Sequence, residues 1–149
     1  MRFLVFISAF CIFYINSAIA HTTLIDVQVR SFIPGASNSV AYFTLDNDTK
    51  DIRTLVSAEV EGIKRVEIHQ HKFINGMMKM SRLHSLDINA YHQVHFRPGG
   101  LHLMLFEPIQ FPKPGDKIKL TLHFTKGESI SIQADVIKLG EEKQNHSHH

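Results

Sequence analysis

The stretch "VEIHQHKFINGMMKM", Val66 to Met80, reads as two strands around a tight turn. Asn75-Gly76 is the strongest short-range hairpin signal, because a two-residue type I′ turn needs positive φ at both central positions. With those two residues as the loop, Ile74 pairs with Met77, Phe73 with Met78, Lys72 with Lys79 and His71 with Met80. Strand alternation puts residues 67, 69 and 71 on one face, away from Val66 and Ile68. His69 then lies diagonally from Met80, within roughly 7–8 Å, on the face that also carries His71 and Met78.

Working outward from this hairpin, the rest of the chain repeats the same period-two pattern between Gly, Pro and Asn, and no segment carries a sustained helical stripe. "TLIDVQVRSF" reads as a first strand, "PGASN" (34–38) as a turn, and "SVAYFTLDN" as a second strand. "DIRTLVSAEV" reads as a third. "RPGG" (97–100) turns the chain before "LHLMLFEP", and "KPGDK" turns it before "IKLTLHF", where Ile118, Leu120, Leu122 and Phe124 alternate with polar residues. "TKGES" then leads to "SISIQADV", whose apolar face is Ile130, Ile132, Ala134 and Val136. About seven short strands punctuated by turns predict an all-β domain, a two-sheet Greek-key sandwich or a small barrel.

The chain has 149 residues, enough for one sizeable core and too few for two comfortable ones. Its first twenty residues combine Arg2, an apolar run from Phe3 to Ile15 and the small-residue ending Ala18-Ile19-Ala20, which is the pattern of a cleaved secretory signal peptide. The apolar run is shorter than the roughly 20 residues a bilayer span requires. The expected organisation is a signal peptide over 1–20, one β-domain over 21–139 and a flexible His-rich tail over 140–149. Cleavage would remove Cys11, the single cysteine, so the mature protein carries no thiol to oxidise in an oxidising compartment. The formal net charge of +2 falls to +1 without Arg2. Such a balance does not suggest a nucleic-acid-binding field or a polybasic membrane patch, and no stable membrane insertion is expected after cleavage. A monomer is expected.

Histidine is plentiful, with eleven residues. In "GGLHLML", Leu101, Leu103 and Leu105 share one face while His102 and Met104 share the other. A methionine on a β-face is usually core filler and a single histidine is usually a surface residue. Two His-plus-Met sets, each opposite the aliphatic residues of its own strand, are harder to assign to packing. If the two faces meet, His69, Met80, His102 and Met104 form an N2S2 site. Neutral thioethers favour Cu(I) and imidazole also suits copper, whereas calcium and magnesium want oxygen and zinc wants thiolates, carboxylates or more histidines.

These residues resemble the periplasmic copper chaperones of the PCuAC type (DUF461), whose pattern H(M)-x10-M-x21-H-x-M is matched by His69, Met80, His102 and Met104 without a gap. The resemblance extends through "PGASNSVAYFTLDN", "VEIH", "PGGLHLML" and "PGDKIKLTLHF", and so covers most of the mature chain. It implies a cupredoxin-like Greek-key β-sandwich that carries Cu(I), and in some cases Cu(II), in the periplasm toward copper centres such as the cytochrome c oxidase subunits, alongside Sco-type proteins. No catalytic turnover is implied. One departure stands out. The methionine often found two residues after the first histidine is His71 here, a candidate accessory or Cu(II)-state ligand that could equally be a solvated strand histidine.

Two looser features remain. His146, His148 and His149 in the tail form a candidate secondary Cu(II) site, with weak, pH-dependent binding expected through neutral imidazoles. Cleavage after Ala20 would make His21 the N-terminal residue, whose amine and ring could chelate copper together, resembling the histidine brace of copper oxygenases. A copper-dependent oxidase or oxygenase built on His21 is therefore the enzymatic alternative, and an exported adhesion or assembly sandwich without metal is the third. No nucleophilic cysteine, serine elbow or acid pair supports other catalysis. His84, His92, His95 and His123 read as surface residues.

Overall fold

The computed structural model describes residues 21–142. The expected signal peptide, with Cys11, and the tail histidines His146, His148 and His149 lie outside the described residues. Among the described residues there are ten strands: β1 Thr22–Arg30, β2 Asn38–Asn47, β3 Arg53–Val60, β4 Ile63–Ile74, β5 Met77–Leu83, β6 Leu86–Ile88, β7 His92–Phe96, β8 Leu101–Pro108, β9 Lys117–Phe124 and β10 Ser129–Ile137. A single 3-10 turn, Thr125–Gly127, joins β9 to β10. Among the described residues no helix is long and apolar enough to cross a membrane.

The strands hydrogen-bond in one continuous order, β5-β4-β8-β7-β2-β1-β10-β9-β3-β6. All pairings are antiparallel except β1 with β10 and the short contact of β7 with β8. Strand β2 is shared end to end along one edge. Its first residues, Asn38 to Ala41, pair with β8, and its last, Phe43 to Asn47, pair with β7. The β1–β10 pairing joins two halves, and both contribute to a single apolar core. Leu45, Leu103 and Leu105 enter it from the β4–β8–β2 half, and Leu55, Leu120 and Leu122 from the β9–β3 half. The expected sandwich is thus one sheet folded over a shared core. Each of those six leucines is completely buried, and burying such a side chain contributes about 1.5–3 kcal/mol.

The hairpin of β4 and β5 has the register expected from Asn75-Gly76. Ile74 pairs with Met77, Phe73 with Met78, Lys72 with Lys79 and His71 with Met80. Asn75 and Gly76 both have positive φ, 50° and 78°, as a type I′ turn demands. Sequence alternation did not single out β6 and β7. Both are short, and Tyr91 between them takes a φ of 56°, a conformation that interrupts the alternation of an otherwise polar stretch. Asn47, completely buried at the end of β2, holds this region together. Its side-chain amide donates to the carbonyls of Asp51, Ile88 and Asn89 at 2.9, 3.2 and 2.9 Å.

Strand β8 lies between β4 and β2 and carries the chain's second His/Met pair on the face opposite Leu103. Leu103→Ala should destabilise the protein by about 2–5 kcal/mol through lost burial and the cavity left behind. Urea unfolding followed by circular dichroism measures this, and a loss below about 1 kcal/mol would mean that the core does not hold β8 in place.

Candidate metal centre

Strands β4 and β8 are direct neighbours, and their register places His69 opposite His102. The same ladder sets Ile68 against Leu103, Val66 against Leu105 and Glu67 against Met104. Strand alternation therefore sorts the chemistry by face. Ile68, Leu103 and Leu105 point into the core, while His69, His71, His102, Met104 and, across the hairpin, Met80 share the other face. The two His/Met segments that the sequence left separate are brought together by backbone pairing alone. The ring centroids of His69 and His102 are 5.9 Å apart, and those of His71 and His102 are 5.0 Å apart.

Exposure rises steeply across this face. His102 is buried at 3 % and Met80, on the edge strand β5, is 49 % exposed; His69, His71 and Met104 are intermediate. The turn Arg97–Gly100 anchors the buried end. The Gly100 carbonyl accepts the backbone N–H of His71 at 3.1 Å and the Nδ1–H of His102 at 3.1 Å. A carbonyl only accepts, so the His102 proton sits on Nδ1 and the neutral ring offers the Nε2 lone pair. Burial holds the His102 pKa below its ordinary value, opposed by the Gly100 hydrogen bond and reinforced by nearby His71, His69 and Arg30. The Nδ1 atoms of His69 and His71 are buried without a hydrogen-bond partner.

Glu67 was not singled out as a functional residue by the sequence, although alternation placed it on the histidine face. Its carboxylate accepts from His69 Nε2 at 2.8 Å and from Arg65 at 2.7 Å, forms an ion pair with Arg82 at 3.1 Å, and its side chain is only 9 % exposed. Its pKa is lowered, first by the His69 hydrogen bond, against the opposing effect of burial, with further help from Arg65 and Arg82. Arg65 lies over the Phe106 ring, 3.9 Å from its centroid. The face is thus not a purely neutral donor set: an anion sits directly beside His69. The useful signal in the sequence was the shared parity of 65, 67 and 69.

Among the described residues, no three His, Cys, Asp or Glu side chains form a metal cage by themselves. The rings of His71 and His102 stack at 26°. A single ion held on this face would draw on thioether sulfur as well as imidazole nitrogen, the mixture that suits soft copper. The other histidines lie elsewhere. His21 is exposed at the start of β1, where Thr22 pairs with Asn47. Met104 instead pairs with Val40, seven residues back along β2, or about 23 Å at the usual strand rise. His21 is therefore not brought to the β4–β8 face. His84 is exposed, His92 Nδ1 donates to the Ala90 carbonyl, His95 bonds Thr44, and His123 bonds Ser129 and lies near Glu59.

The LpqE-like family model, which carries the description of a lipoprotein, matches residues 22–136. An uncharacterised protein of Rickettsia prowazekii (strain Madrid E), RP573, is 35 % identical over 89 residues, which are 59 % of this chain and 49 % of that protein. The chain spans about half the length of the curated relative it matches. Among solved structures, the copper-bound PCuAC domain from PmoF2 aligns over 78 % of this chain and 92 % of its own, with a TM-score of 0.65 and 19 % identity. The Cu(I) form of DR1885 from Deinococcus radiodurans aligns over 86 % and 87 %, with a TM-score of 0.64 and 24 % identity. At these identities the likeness establishes the fold, the cupredoxin-like β-sandwich of PCuAC domains.

The two shifted groups make the metal-free protein acid-sensitive. The folded state takes up the His102 proton less readily than the unfolded chain, so stability is intact above about pH 6.5 and declines as pH falls below that value. Glu67, whose folded pKa is depressed, contributes stability that is present above about pH 4.5 and is lost as pH falls further. Melting temperature should therefore drop between pH 7.5 and 5.5, with a shallower drop in His102→Asn. Equal slopes in the two proteins would assign the sensitivity elsewhere.

Proposed function

The chain belongs to the LpqE-like family, and from that membership and the geometry of β4, β5 and β8 we propose that it is a periplasmic copper chaperone of the PCuAC (DUF461) type. His69, Met80, His102 and Met104 hold Cu(I). The observation that carries this reading is the pairing of His69 with His102 across β4 and β8, with Met104 two residues along β8 and Met80 across the hairpin from His71. The PCuAC domains of like fold that are described as copper-bound or Cu(I) forms support the choice of metal. The signal-peptide pattern of residues 1–20 is the support for the periplasmic setting.

The exposure gradient suits a carrier. His102 anchors the ion from the buried side, while the half-exposed Met80 is the donor that an acceptor reaches first, so the ion can pass by stepwise exchange of neutral ligands. The acceptor is a copper centre such as the cytochrome c oxidase subunits, with Sco-type proteins as companions. The reaction is transfer and not turnover. An oxidase centred on His21 is disfavoured by that residue's distance along β1 and β2 from the imidazole group.

His71 adds a second oxidation state. Its ring lies 5.0 Å from that of His102, so it would offer a third imidazole to Cu(II), which prefers nitrogen. The tail histidines His146, His148 and His149 provide a further, looser Cu(II) site.

Titration against a Cu(I)-selective chromogenic chelator should show stoichiometric binding, weakened at least tenfold in Met80→Leu and in His102→Asn while circular dichroism stays native. X-ray absorption of the anaerobically loaded protein should count both sulfur and nitrogen neighbours. Unchanged affinity in both variants would defeat the assignment. His71→Met should leave Cu(I) affinity within a few fold and remove one nitrogen from the Cu(II) electron paramagnetic resonance spectrum; an identical spectrum would place His71 outside the site.

A further inference from the structure

Glu67 divides its two oxygens between two tasks. Oε1 accepts from Arg65 Nη1 at 2.7 Å and forms an ion pair with Arg82 Nη1 at 3.1 Å, whereas Oε2 accepts from His69 Nε2 at 2.8 Å. The two arginines come from different strands, Arg65 from β4 and Arg82 from β5, where Arg82 is the register partner of His69. Arg65 is itself held against the Phe106 ring. The carboxylate is thus clamped from one side and turned toward the imidazole on the other. This exceeds what a solvated surface ion pair needs, since exposed pairs contribute little and hold no fixed geometry.

A carboxylate in this position can only accept, so the His69 proton bound in this contact is the one on Nε2. The opposite nitrogen, Nδ1, is buried and has no hydrogen-bond partner. In His102 the assignment is reversed, because Nδ1–H donates to the Gly100 carbonyl and Nε2 is left with the lone pair. The two rings that face each other across β4 and β8 therefore each have one nitrogen tied to a protein acceptor and one left over. Metal-ligating histidines commonly donate their other ring N–H to a carboxylate or carbonyl, which fixes ring orientation and raises ligand basicity.

We propose that Glu67 is a positioning residue that locks His69 in the Nε2–H tautomer and so presents Nδ1 as its copper-binding nitrogen, with Arg65 and Arg82 holding the carboxylate in place. The inference rests on the copper reading of this face, and it identifies which atom of His69 is used and what selects it. Glu67 does not itself bind the ion. Gln at position 67 keeps an oxygen that can accept from Nε2–H, whereas Leu keeps approximate bulk and abolishes the acceptor.

The test uses two readouts on wild type, Glu67→Gln and Glu67→Leu. Nitrogen-15 chemical shifts of His69 in the metal-free protein at pH 8 report the tautomer without copper. Competition with a Cu(I) chelator reports affinity. Wild type and Glu67→Gln should show the Nε2–H tautomer and affinities within a few fold of each other. Glu67→Leu should show a mixed tautomer and bind Cu(I) about 10–100-fold more weakly, the range typical for losing such a partner. An unchanged tautomer in Glu67→Leu overturns the proposal. So does a loss in Glu67→Gln as large as in Glu67→Leu, because the carboxylate would then act through its charge. Wild type that does not bind Cu(I) overturns the copper reading whatever the tautomer, while wild-type affinity retained in Glu67→Leu overturns the positioning role alone.

Discussion

The pairing of β4 with β8 is the constraint on which the rest of the molecule's chemistry depends. Ile68, Leu103 and Leu105 are buried on one side of this pair, and each burial contributes about 1.5–3 kcal/mol. A slip of one residue would exchange the faces of the slipped strand, exposing its aliphatic side chains and driving its histidine into the core. The core therefore holds the register, and the register holds His69 opposite His102. No interaction between the imidazoles themselves is needed to assemble them. Packing on one face of the sheet determines the donor geometry on the other.

The position of the pair within the sheet then grades access. Strand β8 is interior, flanked by β4 and β2, and its His102 is buried and tied to the Gly100 carbonyl. Strand β5 is at the edge of the sheet order and carries Met77, Met78 and Met80, all of them exposed. Edge strands are hazards for aggregation unless broken up by charge, and Lys79 and Arg82 supply that charge here. A thioether at an exposed edge and an imidazole at a buried interior position would give the proposed copper site a fixed end and a yielding end. That asymmetry suits the release that the proposed copper transfer requires.

Electrostatics complete the arrangement. A purely neutral His/Met set would leave both ring tautomers free. Glu67, held by Arg65 and Arg82, and the Gly100 carbonyl supply acceptors, one for each of the two facing imidazoles. The arginines also offset the charge of the carboxylate, so the face gains orientation without gaining a large negative field that would attract hard cations.

Much of this is legible in the amino-acid sequence alone. Period-two alternation identifies most of the strands, Asn75-Gly76 sets the hairpin and its register, and parity places His69, His71 and Met80 together and His102 beside Met104. These are local properties, governed by turn conformation and by side chains alternating across a strand. The short strands β6 and β7 are not legible, because positive φ at Tyr91 and three bonds from Asn47 shape them more than any apolar rhythm does. Only the tertiary structure decided that the distant strand β8 lies against β4, that Glu67 is drawn in by arginines from two strands, and that His21 sits far from the imidazole group. Those outcomes depend on which edges of the sheet meet once the common core is buried, and no local pattern encodes that choice.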